Sequence, residues 1–329
     1  MLENAINRFV LSSPRRLVMP IAVYPGLKLC GGTVRDVVTN PAVQCAAQAA
    51  LHERYRTPFL LSAMDLSAEA EAFGCTVNLS ETEVPTVTGR LVTTLAQARD
   101  LAVPQPGAGR TRVYLETIQR LRQISEHALV LGGCIGPFSL AARLVGVSEA
   151  MELSLTEPDL IHTLLEKTAQ FLGNYARAFR NAGANGLIMA EPAAGLLSPR
   201  GMSEFSSRYI RLIAESTQDG EFALILHNCA AKPVHLPAIL ETGLTTFHFG
   251  APMDLAAALS KVPQSTVLCG NLDPAAVFCQ AKPAEVVERA AALLAQTRAF
   301  PNYLLSSGCD IPANAELANL DALFQAAGN

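Results

Sequence analysis

A histidine and a cysteine stand two residues apart at the end of an apolar run of the chain. Residues 224–226 read Leu-Ile-Leu, a pattern typical of a β-strand, and His227 and Cys229 follow. Because residues i and i+2 of a strand point to the same side, these two side chains can converge on one point. A second strand-like run, residues 303–306, leads to Cys309. Two such strand ends side by side would form a Cys2His site with one open position, the donor set of a catalytic zinc.

The same residues have a plainer interpretation. A lone His-x-Cys is a weak signal, and cysteine is among the most buried residue types for packing reasons alone. The second strand-end cysteine, Cys309, favours metal binding over packing. We expect Cys134, Cys269 and Cys279 to be packing residues.

The composition predicts a globular α/β protein with a large core. Half of the 329 residues are hydrophobic and 16% are charged, so disorder is not expected. A net charge of −4 argues against nucleic acid or an anionic membrane as partner, and no apolar run reaches membrane-spanning length. The first residues do not resemble a signal peptide, and the eight cysteines contain no CxxC pair. We therefore expect reduced thiols and a cytoplasmic location.

Apolar strands alternate with amphipathic helices along the whole chain, which favours a single (β/α)8 TIM barrel over residues 1–329. No G-x-G-x-x-G opens a helix after the first strand, which argues against a dinucleotide-binding fold. Residues 75–110 are mixed in pattern and predict an insertion at the barrel mouth. The predicted strands are 17–23, 58–65, 128–135, 186–191, 223–226, 245–249, 266–270 and 303–306.

Five chemically capable residues stand at predicted strand ends, although they span most of the chain. In (β/α)8 barrels the active site lies at the C-terminal ends of the strands. This shared position is the strongest physical argument for a common site. The five residues are Asp65, Glu191, His227, Cys229 and Cys309.

Several short motifs occur in a recognisable order from about residue 20 to the end of the chain. They resemble those of the uroporphyrinogen decarboxylase superfamily, and within it the methylcobamide:coenzyme M and related corrinoid-dependent methyltransferases. The His-x-Cys with a distant Gly-Cys-Asp is the specific part. The matching stretches begin at Met64 (MDL), Glu69 (EAEAFG), Gly136 (GPFSLA), Glu191 (EPAAG), Leu226 (LHNC), Cys269 (CGNLDP) and Ser307 (SGCDIP).

The resemblance implies that His227, Cys229 and Cys309 bind one zinc ion. It also weighs against the decarboxylase branch, which carries an arginine-rich segment after the first strand and a Gly-His-Gly near the last. Here residues 23–28 read Val-Tyr-Pro-Gly-Leu-Lys, and residues 308–310 read Gly-Cys-Asp.

The activity implied is methyl transfer between a methylcobamide, expected on a separate corrinoid carrier protein, and a small thiol such as coenzyme M. Glu191 and Asp65 are the candidate catalytic residues. Glu191 could be a fourth zinc ligand or a base, with an ordinary helix-capping or salt-bridged carboxylate as the alternative. His248, Asn271 and Asp310 are the candidate substrate-binding residues, although His248 could be structural and Asn271 could shape its loop.

Three other functions stay open at this point. The first is methyl transfer in the opposite direction, by a demethylase that loads a corrinoid from an O- or N-methyl donor. The second is decarboxylation of a tetrapyrrole or smaller acid, and the third is a corrinoid- or metal-binding barrel without turnover. The oligomeric state is open too, with a homodimer as one candidate.

Overall fold

A curled parallel sheet is the centre of the fold. The computed structural model describes residues 4–328. Seven of its strands pair in the order β1-β4-β5-β6-β7-β8-β9, and β2 and β3 form a separate antiparallel hairpin. The strands are β1 (Phe59–Leu61), β2 (Thr76–Asn78), β3 (Thr86–Thr88), β4 (Leu129–Ile135), β5 (Gly186–Ala190), β6 (Ala223–Asn228), β7 (Thr246–Phe249), β8 (Val267–Leu272) and β9 (Tyr303–Ser307).

Helices connect consecutive strands of the parallel sheet and cover its outer face. The α-helices are α1 (Ala5–Ser12), α2 (Leu27–Cys30), α3 (Val34–Thr39), α4 (Pro41–Tyr55), α5 (Ala68–Phe73), α6 (Leu95–Asp100), α7 (Thr111–Leu121), α8 (Pro137–Val145), α9 (Val147–Thr156), α10 (Pro158–Asn181), α11 (Pro199–Met202), α12 (Arg208–Thr217), α13 (Leu236–Leu240), α14 (Leu255–Leu259), α15 (Pro274–Phe278), α16 (Pro283–Gln296) and α17 (Leu317–Ala326).

The local sequence explains these elements. Strands β5 and β6 are buried along their whole length, as expected for a parallel sheet covered on both faces. Helix α10 begins with Pro158 in its first turn, where no intrahelical N–H is needed. Its apolar residues recur at helical spacing and are buried, for example Leu160, Leu164 and Phe171. The core therefore lies both inside the curl of the sheet and between the sheet and its helices.

The predicted first strand differs from the observed structure. Residues 17–23 run beside β9, but they make a single bridge, from Val18 to Leu305. The reason is local, because Pro20 has no N–H and the N–H of Ile21 donates to the Ser307 side chain (3.0 Å). Pairing therefore stops after one bridge. The Val18 carbonyl accepts from Thr57 Oγ1 (3.4 Å), just before β1, so this segment lies between the two edges of the curled sheet.

The predicted insertion, residues 75–110, contains the β2–β3 hairpin and α6. The backbone N–H groups of Leu91 and Val92 donate to the carbonyl of Leu144 at the end of α8 (2.8 and 3.1 Å). The segment thus packs on the helical layer. Its status as an insertion, and the single-domain boundaries 1–329, stay predictions.

No helix in the part of the chain that the structure describes is both long and apolar enough to cross a bilayer.

Asp65 lies after β1 in a buried ion-pair network. Its Oδ2 accepts from the Arg110 guanidinium and from Tyr114 Oη (2.8 Å), and its Oδ1 accepts from the backbone N–H and hydroxyl of Ser67 (2.9 and 2.6 Å). Arg110 also pairs with Glu71. The network joins β1, α5 and the start of α7, and the Asp65 side chain is fully buried within it.

We expect Asp65→Asn to lower the free energy of unfolding by about 3–5 kcal/mol, because it leaves the buried Arg110 charge without its main partner. The matched control is Glu116→Gln in the exposed pair Arg112–Glu116, which should change stability by less than about 0.5 kcal/mol. Urea unfolding measures both. Equal effects of the two substitutions would contradict the structural role of Asp65.

Glu69 on α5 is a second buried acid at this end of the sheet. Its Oε1 accepts from Ile135 N (3.2 Å), at a point where β4 extends beyond β1, and its Oε2 has no hydrogen-bond partner within residues 4–328. Burial raises the pKa of Glu69 from 4.5 to about 8. The folded protein therefore holds a proton that the unfolded chain releases in this range. Its contribution to stability is full below pH 4.5 and is lost as the pH rises through about 8.

Glu69→Gln keeps the Oε1 acceptor and cannot ionise. We expect the free energy of unfolding of this variant to fall less than that of the wild type between pH 4.5 and about 8. Urea unfolding at several pH values across that interval is the measurement, with Glu116→Gln again as the exposed control. Parallel pH profiles for wild type and Glu69→Gln would show that Glu69 is not a neutral acid in the fold.

Candidate metal centre

Two strand ends on one side of the sheet carry the three candidate ligands. His227 is the penultimate residue of β6, Cys229 follows β6 directly, and Cys309 lies two residues beyond β9. One ligand atom from each of the three residues lies within 4.8 Å of the others. Ligand atoms around a tetrahedral zinc are about 3.6–3.8 Å apart, from its usual bond lengths, so a small contraction would close the set. The predicted convergence of these three residues is present in the structure.

Two glycines let the strand ends approach so closely. A Cβ on Gly250, just after β7, would lie 2.1 Å from the Cys229 carbonyl oxygen. A Cβ on Gly308 would lie 3.0 Å from the backbone N of Ala251 and 3.2 Å from the Cα of Gly250. Larger residues would push the loops of Cys229 and Cys309 apart. The sequence motifs assign no role to these glycines, although a glycine directly after a strand is a visible signal of close approach.

The two thiols interact with each other. Interaction with the Cys309 thiol outweighs burial and, with His227 nearby, lowers the pKa of Cys229. The same interaction raises the pKa of Cys309. These shifts favour the thiolate form of Cys229, the form in which cysteine binds metals.

His227 is buried and belongs to a chain of hydrogen bonds. Its Nδ1 lies 2.8 Å from His248 Nδ1, and His248 Nε2 lies 2.8 Å from Ser306 Oγ. Ser306 Oγ donates to the Met19 carbonyl (2.5 Å). Burial and then the nearby His227 ring lower the pKa of His248. His227 Nε2 is buried and has no hydrogen-bond partner among the described residues. Ser306 is not among the predicted site residues, because a serine inside an apolar strand forms no recognisable pattern.

Glu191 lies outside the three-residue cluster. Its carboxylate accepts from the N–H groups of Phe138 and Ser139 (2.8 and 3.2 Å) and from the Ser139 hydroxyl (3.0 Å), at the N-terminus of α8. Burial raises the pKa of Glu191 to about 8, against these three hydrogen bonds, which lower it. The contacts are those of the helix-capping alternative, and a catalytic role for Glu191 stays a prediction.

The other predicted site residues have separate positions. Asp65 is held by Arg110, as described above, and a catalytic role for it is also untested. Asn271 Nδ2 donates to the Gly250 carbonyl (3.0 Å) and so fixes the loop after β7. Asp310 follows Cys309, and burial raises the pKa of its carboxyl, whose Oδ1 has no partner in residues 4–328. Substrate binding by Asn271, Asp310 and His248 stays a prediction.

The chain is similar to proteins of two named activities. It is 27% identical over 281 residues to "Methylcobamide:CoM methyltransferase MtbA" of Methanosarcina acetivorans, with 84% of this chain and 80% of that protein covered. It is 25% identical over 316 residues to "Uroporphyrinogen decarboxylase" of Psychromonas ingrahamii, with 92% and 88% covered.

Solved structures and a family profile complete the comparison. A "methyltransferase from Methanosarcina mazei" superposes with a TM-score of 0.88 at 23% identity, covering 98% of this chain and 97% of that one. This similarity concerns the fold, and it confirms the predicted TIM-barrel class. The profile described as "Uroporphyrinogen decarboxylase (URO-D)" matches residues 6–329. The chain therefore belongs to the uroporphyrinogen decarboxylase (URO-D) family.

Proposed function

We propose that this protein is a zinc-dependent methyltransferase that moves a methyl group between a corrinoid and a small thiol. The observation that carries the proposal is the convergence of His227, Cys229 and Cys309. Among them is a buried imidazole nitrogen that has no hydrogen-bond partner within the described part of the chain. The similarity to proteins named methylcobamide:CoM methyltransferases supports the same conclusion.

The donor set fits zinc. One imidazole and two thiolates are borderline-to-soft ligands that suit zinc better than magnesium or calcium. Three protein ligands leave a fourth position for a substrate. When bound there, zinc would keep a thiol at that position in its thiolate form at neutral pH, where a free thiol is mostly protonated.

The protein's own residues define how a substrate reaches this point. His227 is 1% exposed, whereas Cys229 and Cys309 are only partly buried. The accessible side of the cluster is therefore the cysteine side, at the C-terminal ends of the strands. Two thiolates also offset the double charge of a zinc ion, so a third thiolate from the substrate would stay electron-rich and reactive.

The corrinoid is a substrate in this proposal, presented at the barrel mouth by a carrier protein. The thiolate sulfur of the small substrate forms the new S–C bond, the Co–C bond breaks, and its electron pair stays on cobalt. The reverse reaction, and a different methyl donor, use the same site. The proposed thiol substrate is a small thiol, and coenzyme M is the first example of this class.

The decarboxylase alternative has less support from the residues. That activity must bind a substrate with several carboxylates, which favours unpaired cations at the mouth. The segment after the first extended run is a short turn and α2, where Lys28 pairs with Glu316 (3.1 Å). Arg110 is already paired with Asp65 and Glu71.

We expect the purified protein to hold about one zinc ion per chain. His227→Ala, Cys229→Ala and Cys309→Ala should each lose it, because two ligands do not retain a structural or catalytic zinc. Cys279→Ala is the matched control, since Cys279 is also a partly buried free thiol but lies away from the cluster. Zinc is measured by mass spectrometry after dialysis under reducing conditions. A folded wild type that takes up no zinc would contradict the proposed site.

We further expect the zinc-loaded protein to demethylate methylcobalamin when coenzyme M is added, with the appearance of the cob(I)alamin spectrum. Cys309→Ala should lower the rate by roughly 100-fold or more, since it removes a metal ligand, and Cys279→Ala should not. Homocysteine and uroporphyrinogen III are tested in parallel. Turnover of uroporphyrinogen, with no thiol-dependent demethylation of methylcobalamin, would favour the decarboxylase instead.

A further inference from the structure

We propose that His248 and Ser306 are positioning residues that hold His227 in the tautomer whose Nε2 carries a lone pair. The chain of contacts runs from the Met19 carbonyl through Ser306 and His248 to His227. The purpose of this relay rests on the proposed zinc site, but its geometry is independent of that site and can be tested in the metal-free protein.

The Met19 carbonyl sets the direction of the relay. A carbonyl oxygen only accepts hydrogen bonds, so the Ser306 hydroxyl must donate its single hydrogen to it, at 2.5 Å. Ser306 can then only accept from His248, whose Nε2 lies 2.8 Å from Oγ. Nε2 of His248 must therefore carry the hydrogen.

The His248 ring is neutral in this environment. It is fully buried, and among residues 4–328 the hydrogen-bond partners of its two nitrogens are the His227 ring and the Ser306 hydroxyl. Neither partner is a carboxylate that would compensate a buried positive charge, and burial without such a partner favours the uncharged ring. A neutral ring with hydrogen on Nε2 has a lone pair on Nδ1.

His227 must then donate to that lone pair. Its Nδ1 lies 2.8 Å from His248 Nδ1, so the hydrogen between the rings belongs to His227. When the His227 ring is uncharged, hydrogen on Nδ1 leaves a lone pair on Nε2. This is the atom that is buried, has no hydrogen-bond partner in the described chain, and belongs to a residue of the cluster with Cys229 and Cys309.

The reversed relay is disfavoured by two contacts. If His248 donated from Nδ1, its Nε2 would need the Ser306 hydrogen, and Ser306 Oγ would face the Met19 carbonyl with lone pair against lone pair at 2.5 Å. The hydrogen of His227 would then lie on Nε2, and a protonated nitrogen cannot bind a metal. The relay thus selects the ligating form of His227.

The relay also orients His227 without adding charge. Metal-binding histidines often donate to a carboxylate, which adds a negative charge behind the ligand. Here the chain ends on a backbone carbonyl, so the charge of the site is left to the two cysteines. This assignment uses both ring nitrogens of His248 and leaves no free atom for the substrate contact that the sequence suggested.

The direct test is the tautomer of His227 in metal-free protein labelled with 15N at histidine. Long-range proton–nitrogen correlation spectra distinguish a protonated from an unprotonated ring nitrogen. We expect hydrogen on Nδ1 of His227 and on Nε2 of His248 near neutral pH. Hydrogen on Nε2 of His227 would overturn the proposal, whether or not the protein binds zinc.

Ser306→Ala and Ser307→Ala form a matched pair, because both serines are fully buried neighbours on β9. Ser307 Oγ instead accepts from Ile21 N (3.0 Å), away from the histidines. We expect Ser306→Ala to shift the His227 tautomer and to weaken zinc binding by about 10–100-fold in competition with a chromophoric chelator. Ser307→Ala should change neither quantity. Equal effects of the two variants would overturn the relay.

Substitutions of His248 supply a rescue test. A glutamine can accept at Oε1 from His227 and donate from Nε2 to Ser306, as the histidine does, whereas leucine can do neither. We expect His248→Gln to keep the His227 tautomer and most of the zinc affinity, and folded His248→Leu to lose about 10–100-fold. A His248→Leu protein with unchanged tautomer and affinity would refute the proposal. Wild type with the expected tautomer but no zinc binding would refute only the proposed function.

Discussion

The in-register pairing of β6 with β7 is the constraint on which the site depends. Register partners on neighbouring parallel strands point their side chains to the same face of the sheet. His227 and His248 are such partners, so their rings lie next to each other on one face. A slip of one residue would turn His227 away from His248 and Cys309. It would also exchange the residues of β6 that pack inside the curl of the sheet with those that pack against the helices.

The sequence predicted most of the sheet and the three candidate ligands, for physical reasons. The long apolar runs form strands in the structure, and residues two apart at a strand end lie on the same side. The convergence of His227, Cys229 and Cys309 could therefore be predicted. The first predicted strand was less accurate, since one proline and one side-chain acceptor, Pro20 and Ser307, interrupt its pairing. Pro20 is visible in the segment itself, whereas the Ser307 acceptor depends on which element lies next to the segment.

Three buried acids show that a position at a strand end does not by itself determine the role of a carboxylate. Asp65 and Glu191 are candidate catalytic residues from their position, and their observed partners are Arg110 for Asp65 and the first turn of α8 for Glu191. A catalytic role for either residue stays a prediction. Glu69, which stands on a helix and had no predicted role, accepts from an unpaired strand N–H. Position after a strand predicts nearness to the barrel mouth, whereas the available donors determine what each carboxylate does.

Membership of the URO-D family indicates the fold of the chain, but it does not indicate which of the family's reactions the chain catalyses. The chain is about equally similar to proteins named as methyltransferases and as decarboxylases, so overall similarity does not separate the two activities. The difference must lie in a few side chains at the strand ends. A thiol pair beside a histidine that presents a bare nitrogen is suited to a soft metal, and it offers no positive charge to a polycarboxylate. His248 and Ser306 are therefore as important for metal binding as the ligands themselves. A Cys2His cluster with the wrong histidine tautomer would have the composition of a zinc site but could not bind zinc.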